Sequence, residues 1–278
     1  MKKIIAFING LEFSENSLSD FSYIIEKTHG SLTISMLEDI TGDPVPLMSN
    51  TPGASFMDYD KLFTRSLEER RKKISDNMKH VRDYYIKRGV AVALHNNPGS
   101  PVQEVLKESR FADLIMLHHT TSFSAVSDSN PPRFVKNVLA AAECPVMILP
   151  DKVIRIQEII FAYNGSSSSM YAIRQFTQLF PELSDMPVNI VYVIENGNKS
   201  IPGETLLQEY LAAHYDDIRY TVLEGDPATE FLAMLYYRND CVVTYGAYSR
   251  SGLSNFFHRS DADSVLSTIN IPVFITHP

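Results

Sequence analysis

Ile159-Ile160-Phe161-Ala162-Tyr163-Asn164-Gly165 repeats the pattern of Ile4-Ile5-Ala6-Phe7-Ile8-Asn9-Gly10. Each is a short apolar run closed by Asn-Gly and followed by serines, which reads as a buried strand, a tight turn and a helix start. Working outward, Leu32-Thr33-Ile34-Ser35-Met36-Leu37-Glu38 matches Val188-Asn189-Ile190-Val191-Tyr192-Val193-Ile194-Glu195, a second strand ending in an acid. Gly99-Ser100-Pro101 matches Gly225-Asp226-Pro227, Asp113-Leu114-Ile115-Met116 matches Asp240-Cys241-Val242-Val243, and Cys144-Pro145-Val146-Met147-Ile148 matches Ile271-Pro272-Val273-Phe274-Ile275. The offsets are 126 residues at Gly99 and 127 at Asp113 and Pro145, but 155 at Asn9. Five signals in one order at near-constant spacing define an internal repeat, with an insertion in the first copy at about 41–73. Short apolar strands alternating with helical stretches imply a parallel sheet covered on both faces. Two tandem α/β domains are therefore expected, at 1–150 and 154–278.

Within each copy the third helix opens on Gly-x-Pro. The glycine lets the chain turn, Ser100 or Asp226 caps the free N–H groups, and Pro101 or Pro227 suits the first helical position. Gln103 is placed to complete a capping box with Ser100. The insertion begins with loop chemistry and continues as a helical pattern over Tyr59–Arg88, with an apolar stripe of Leu62, Leu67, Ile74, Met78, Val81 and Tyr85. It is either a surface loop before an ordinary helix or a lid over a ligand crevice.

Composition narrows the partners. The chain has 278 residues, 44% hydrophobic and 21% charged, with a formal net charge of −8. The one dense basic run, Glu68-Glu69-Arg70-Arg71-Lys72-Lys73, is mixed with acids, so neither nucleic acid nor an anionic membrane is an expected partner. No apolar run approaches the ~20 residues of a membrane span. Cys144 and Cys241 lie in apolar, strand-like contexts and make no disulfide framework, which points to buried thiols in a cytoplasmic protein.

Together the opening strand, the Gly-x-Pro helix start, the Asp-Leu-Ile strand and the Cys-Pro-Val strand resemble the universal stress protein family over nearly the whole chain. The strongest match is Gly246-Ala247-Tyr248-Ser249-Arg250-Ser251-Gly252-Leu253-Ser254-Asn255-Phe256-Phe257-His258-Arg259-Ser260. ATP-binding members carry Gly, two residues, Gly, nine residues, then Gly-Ser or Gly-Thr after the fourth strand. The resemblance implies Rossmann-like (adenine nucleotide alpha hydrolase-like) domains with five-stranded sheets of order 3-2-1-4-5. It also implies a stress-response regulator without catalysis, binding ATP, ADP or AMP, with Mg as the only metal and then only alongside nucleotide. Such a loop suits phosphate because glycines admit a close backbone approach and a helix N-terminus offers free N–H groups.

This chain departs from that pattern. In the second copy Gly246 and Ser260 stand, but Ser249 and Arg259 replace two glycines. In the first copy the aligned residues are His119, Ser122, Pro132 and Arg133, so no triphosphate is expected there in the family manner. Asn9 and Asn164 occupy the position of a ribose- or base-contacting Asp, and each is alternatively a simple turn residue. The site residues implied for the second copy are Asn164, Gly165, Ser166 and Val193 around base and ribose, and Gly246, Ser249, Arg250, Gly252 and Ser260 around phosphate. Arg259 is open between filling the glycine's space, contacting phosphate and pairing at the surface. A non-binding interaction or scaffold module of the same fold, with an unknown protein partner, is the competing reading. Single-copy members pair through their last strands, so Val146-Met147-Ile148 and Val273-Phe274-Ile275 are expected to pair within the chain as a pseudo-dimer, with homodimerisation of the whole chain open. His118 and His119 follow a strand, with His95 near another strand's end. Neighbours on a pleat point to opposite faces, so no metal site is expected.

Overall fold

The computed structural model describes residues 1–41, 56–124, 128–194, 200–246 and 270–276. The ten strands among these residues form one sheet in the order β3-β2-β1-β4-β5-β10-β9-β6-β7-β8. The first five are Lys2–Asn9 (β1), Gly30–Asp39 (β2), Val92–Gly99 (β3), Leu114–His118 (β4) and Val146–Leu149 (β5). The second five are Glu158–Ala162 (β6), Val188–Ile194 (β7), Ile218–Glu224 (β8), Cys241–Gly246 (β9) and Val273–Thr276 (β10). Each set runs 3-2-1-4-5 with parallel neighbours. The sets meet where β5 and β10 pair antiparallel, Val273 opposite Ile148, Phe274 opposite Met147 and Ile275 opposite Val146.

Among the described residues the α-helices are Glu15–Glu26 (α1), Phe56–Ile86 (α2), Pro101–Ser109 (α3), Arg133–Ala141 (α4), Ser167–Leu179 (α5), Glu204–Ala212 (α6) and Pro227–Leu235 (α7). The period-two pleat sends Ile4, Ala6 and Ile8 of β1 to one face, where they pack with Leu18 and Phe21 of α1, Val81 and Tyr85 of α2, and Phe176 of α5. Ile5 and Phe7 go to the other face, against Val105 of α3, Val138 of α4 and Phe231 of α7. Burial on both faces explains why the inner strands read as unbroken apolar runs. The outermost strands, β3 and β8, alternate instead, with Arg219 and Glu224 on β8 keeping that edge charged.

Two local expectations need correction. Asp226 caps α7, its carboxylate accepting from Thr229 N at 3.0 Å, but Ser100 makes no side-chain cap on α3 and the capping box with Gln103 does not form. Only the Ser100 carbonyl is used, by Glu104 N at 3.0 Å. The long helix starts a turn earlier than its stripe suggests, at Phe56. Ile74, Val81 and Tyr85 are buried as expected, and the Tyr85 hydroxyl donates to Leu18 O at 3.0 Å. Cys241 is buried and Cys144 partly so, and burial pushes both thiols up to about 12.

Candidate functional site

In an open parallel sheet, ligands bind beyond the carboxyl ends of the strands where the order reverses. Here those points lie between β1 and β4 and between β6 and β9. At the first, a crevice of about 990 Å3 is walled by Asn9 at the end of β1 and Glu12 beyond it, the α1 cap Ser14 and Ser17 in its first turn, Arg70 and Lys73 of α2, and the loop 120–124. Asn9 ties two of these walls together. Its Oδ1 accepts from Leu11 N at 3.0 Å and its Nδ2 donates to Ser122 O at 3.0 Å. Arg70 reaches in from the insertion's helix, donating through Nη2 to Asp39 O at 2.8 Å, with Glu38 Oε1 3.5 Å from its Nε. The helical end of the insertion is thus a wall of the crevice, while residues 42–55 lie outside the described residues.

A phosphate at this point would look to the N-terminus of α4. That position is already served by Asp128, whose Oδ1 accepts from Arg133 N at 3.3 Å and Ser129 N at 2.8 Å, while Oδ2 accepts from Ser122 Oγ at 2.7 Å. Slight burial pushes the Asp128 carboxyl up, but these hydrogen bonds and the Arg133 cation prevail and hold it below the ordinary range. The chain thus places a carboxylate of its own beside the N-terminus of α4.

At the second point, Asn164, Gly165 and Ser166 join β6 to α5. Asn164 Oδ1 accepts from Ser166 N at 3.1 Å and from Ser166 Oγ at 2.6 Å, and Ser166 Oγ caps α5 by accepting from Ser169 N at 3.2 Å. Gly165 has φ +80°, and a Cβ there would lie 2.6 Å from Pro202 Cβ. Gly246 ends β9 directly against the start of α5, where a Cβ would overlap the Ser168 carbonyl. Its missing side chain therefore serves helix–strand packing. Val193 is buried in β7 opposite Leu223 of β8. Asn164, Gly165, Ser166 and Gly246 thus gather at one carboxyl edge, whereas Ser249, Arg250, Gly252, Arg259 and Ser260 lie outside the described residues.

The histidines depart from expectation. His118 and His119 do not diverge, because β4 ends at His118 and the chain turns, leaving their ring centroids 5.1 Å apart. His95 stays away, bound through Nδ1 to Glu108 Oε2 at 3.0 Å. The third member of the group is Asp151, one residue beyond Pro150 at the end of β5, and the ligand-capable atoms of the three lie within 4.8 Å of one another. Burial and, second, His119 push the His118 imidazole below its usual pKa, against the pull of Asp151 and the Pro150 and Asp151 carbonyls. Only the return of β5 beside β4 brings Asp151 in, a contact no spacing rule along the chain exposes.

Sheet order, a crevice at the first switch point and an antiparallel seam define a tandem Rossmann-like α/β protein. The chain shares the fold of universal stress proteins. One from Archaeoglobus fulgidus DSM 4304 superposes with a TM-score of 0.65 at 18% identity, covering 99% of this chain and 96% of that one. A putative universal stress protein from Pseudomonas aeruginosa UCBPP-PA14 gives 0.60 at 14% identity, covering 100% and 94%. The cytoplasmic domain of a prokaryotic cation chloride cotransporter gives 0.52 at 8% identity, covering 99% and 94%. No protein-family model matches the chain, and no curated protein matches it in sequence. Among the described residues no helix is long and apolar enough to cross a membrane.

Proposed function

We propose that this chain is a tandem universal-stress-type regulatory protein of the cytoplasm, with domains at 1–150 and 154–278, that binds an adenine nucleotide through its second domain without catalysing a reaction on it. The observation that carries the reading is the convergence of Asn164-Gly165-Ser166 and Gly246 at the switch point between β6 and β9, the strand end from which the Arg250-Ser251-Gly252-Leu253-Ser254 string departs. Gly246 supports this by letting β9 approach the N-terminus of α5, the end of a helix whose dipole favours an anion. Asp128 at the start of α4 argues against a second phosphate site in the first domain. Mg would enter only as the counter-ion of a bound polyphosphate.

One observation favours a scaffold reading. The Asn164 acceptor is already engaged by Ser166, and the Ser166 hydroxyl is itself spent on the α5 cap. A nucleotide would have to displace these bonds, and a fold shared with a transporter's cytoplasmic domain carries no ligand of itself. Isothermal titration of the folded chain with ATP, ADP and AMP separates the two. Binding that an Arg250→Ala or Ser260→Ala variant weakens supports the nucleotide site. Silence with all three ligands near a millimolar leaves the scaffold.

A further inference from the structure

His118 is buried, with only 8% of its surface exposed, yet its Nε2 has no hydrogen-bond partner. A buried ring nitrogen is ordinarily satisfied by a partner, so an orphaned one calls for an explanation. The rest of the ring is well held. Nδ1 lies 2.8 Å from Thr120 Oγ1, which can accept the Nδ1 proton and leave Nε2 as a free lone pair. His119 is set the same way with less freedom. Its Nδ1 lies 3.3 Å from Leu149 O, an acceptor only, so Nδ1 carries the proton and Nε2 the lone pair. That Nε2 faces Asp151 Oδ1 at 3.9 Å. Two imidazoles and one carboxylate thus converge, with ligand-capable atoms within 4.8 Å of one another and each ring oriented by an oxygen behind it, which is how metal-bound histidines are typically supported.

We propose that His118, His119 and Asp151 form a binding site for a single zinc-type transition-metal dication at the carboxyl edge of β4 and β5. Two imidazoles and a carboxylate suit the borderline dications in preference to Mg2+, which demands an oxygen shell. Ligand atoms about 2.0–2.2 Å from one ion must lie closer together than the 4.8 Å span seen here. Asp151 can close that gap, since its side chain is 77% exposed and hangs on the segment joining the two halves. Three protein ligands leave one position for water or an anion, and His118 and Thr120 also line the first-half crevice, so that position borders it. The site is independent of the nucleotide reading, which concerns β6 and β9.

The test uses the full chain, stripped with chelator and dialysed, titrated calorimetrically with zinc chloride in a non-coordinating buffer, with magnesium chloride in parallel. One zinc per chain is expected, and no magnesium heat. Asp151→Ala and His119→Ala should each weaken zinc binding at least about tenfold, while His95→Ala leaves it unchanged. Asp151 is exposed and outside the core, so its variant carries the test even if a histidine variant folds poorly, with circular dichroism checking each fold. No zinc heat from the folded wild-type chain overturns the proposal. So does zinc affinity unaltered by Asp151→Ala together with His119→Ala, or lost with His95→Ala alone.

Discussion

Asp20 sits on the buried side of α1, 5% exposed, and only one of its oxygens is satisfied, Oδ1 accepting from Val153 N at 3.2 Å. Burial raises its carboxyl to about 6, against the Val153 hydrogen bond and the Lys152 charge. The folded protein therefore keeps a proton that the unfolded chain releases between about pH 4 and 6. Stability falls as pH rises through that window and stays at the lower level above it. Asp20→Asn keeps an acceptor for Val153 and removes the charge, so it should stabilise the chain at pH 7.5 by about 1–2 kcal/mol and make no such difference at pH 4. Urea unfolding at the two pH values checks this, and an equal effect at both would refute the titration argument. Gly246 illustrates a different residue-scale limit. The Ser168 backbone fills its Cβ position and cannot move aside without breaking the start of α5. Gly246→Ala should cost about 3 kcal/mol or more, read as a drop in the urea midpoint with an unchanged m-value. Nucleotide binding is accordingly probed at Arg250 and Ser260, where loss of binding is not confounded by that clash.

Helices α3 and α7 occupy equivalent places in the two halves but stop their N-termini differently. Asp226 accepts from both the backbone N and the hydroxyl of Thr229, which holds its carboxyl below the usual range. Ser100 offers α3 only its carbonyl. Asp226→Ala should cost about 1 kcal/mol, whereas Ser100→Ala should lie within about 0.5 kcal/mol of wild type, measured by denaturant unfolding. Equal costs would show that the Ser100 hydroxyl caps α3 in solution. Spacing alone placed both helix starts, because Gly-x-Pro restricts the backbone locally, but the choice of cap depends on rotamers that spacing does not register. The same boundary runs through the functional site. The strands and their twofold repeat were legible from an apolar grammar that needs only burial on both faces, whereas their order and the β5–β10 seam were expected only from the resemblance to universal stress proteins. The Asn9–Ser122 tie, the Asp128 plug and the approach of Asp151 to the histidines were legible in neither way, since each joins loops that meet only after the sheet has formed.

Across the whole molecule the seam is more than three residue pairs. Both apolar layers run through it, so Met147 of β5 and Phe274 of β10 share one core with Phe161 and Phe176. Phe176 stacks on Phe180 at 4.6 Å and meets the Phe274 ring edge-on at 5.3 Å. Polar ties stand beside this core: Lys2 Nζ donates to Leu179 O at 2.9 Å, His29 pairs with Glu182, and Ile156 N donates to the Tyr23 hydroxyl at 2.8 Å. Parting the halves would leave β5 and β10 as bare apolar edges, each a template for another strand. Continuity of the chain between Leu149 and Glu158 is then a convenience of assembly and not its cause. Residues 1–150 and 154–278 produced together as separate chains should copurify as a one-to-one complex. Produced alone, each should self-associate through its free edge strand. Sedimentation of the three preparations decides the matter: two independent, stable monomers would mean that the seam contributes little and that the halves behave as beads on a string.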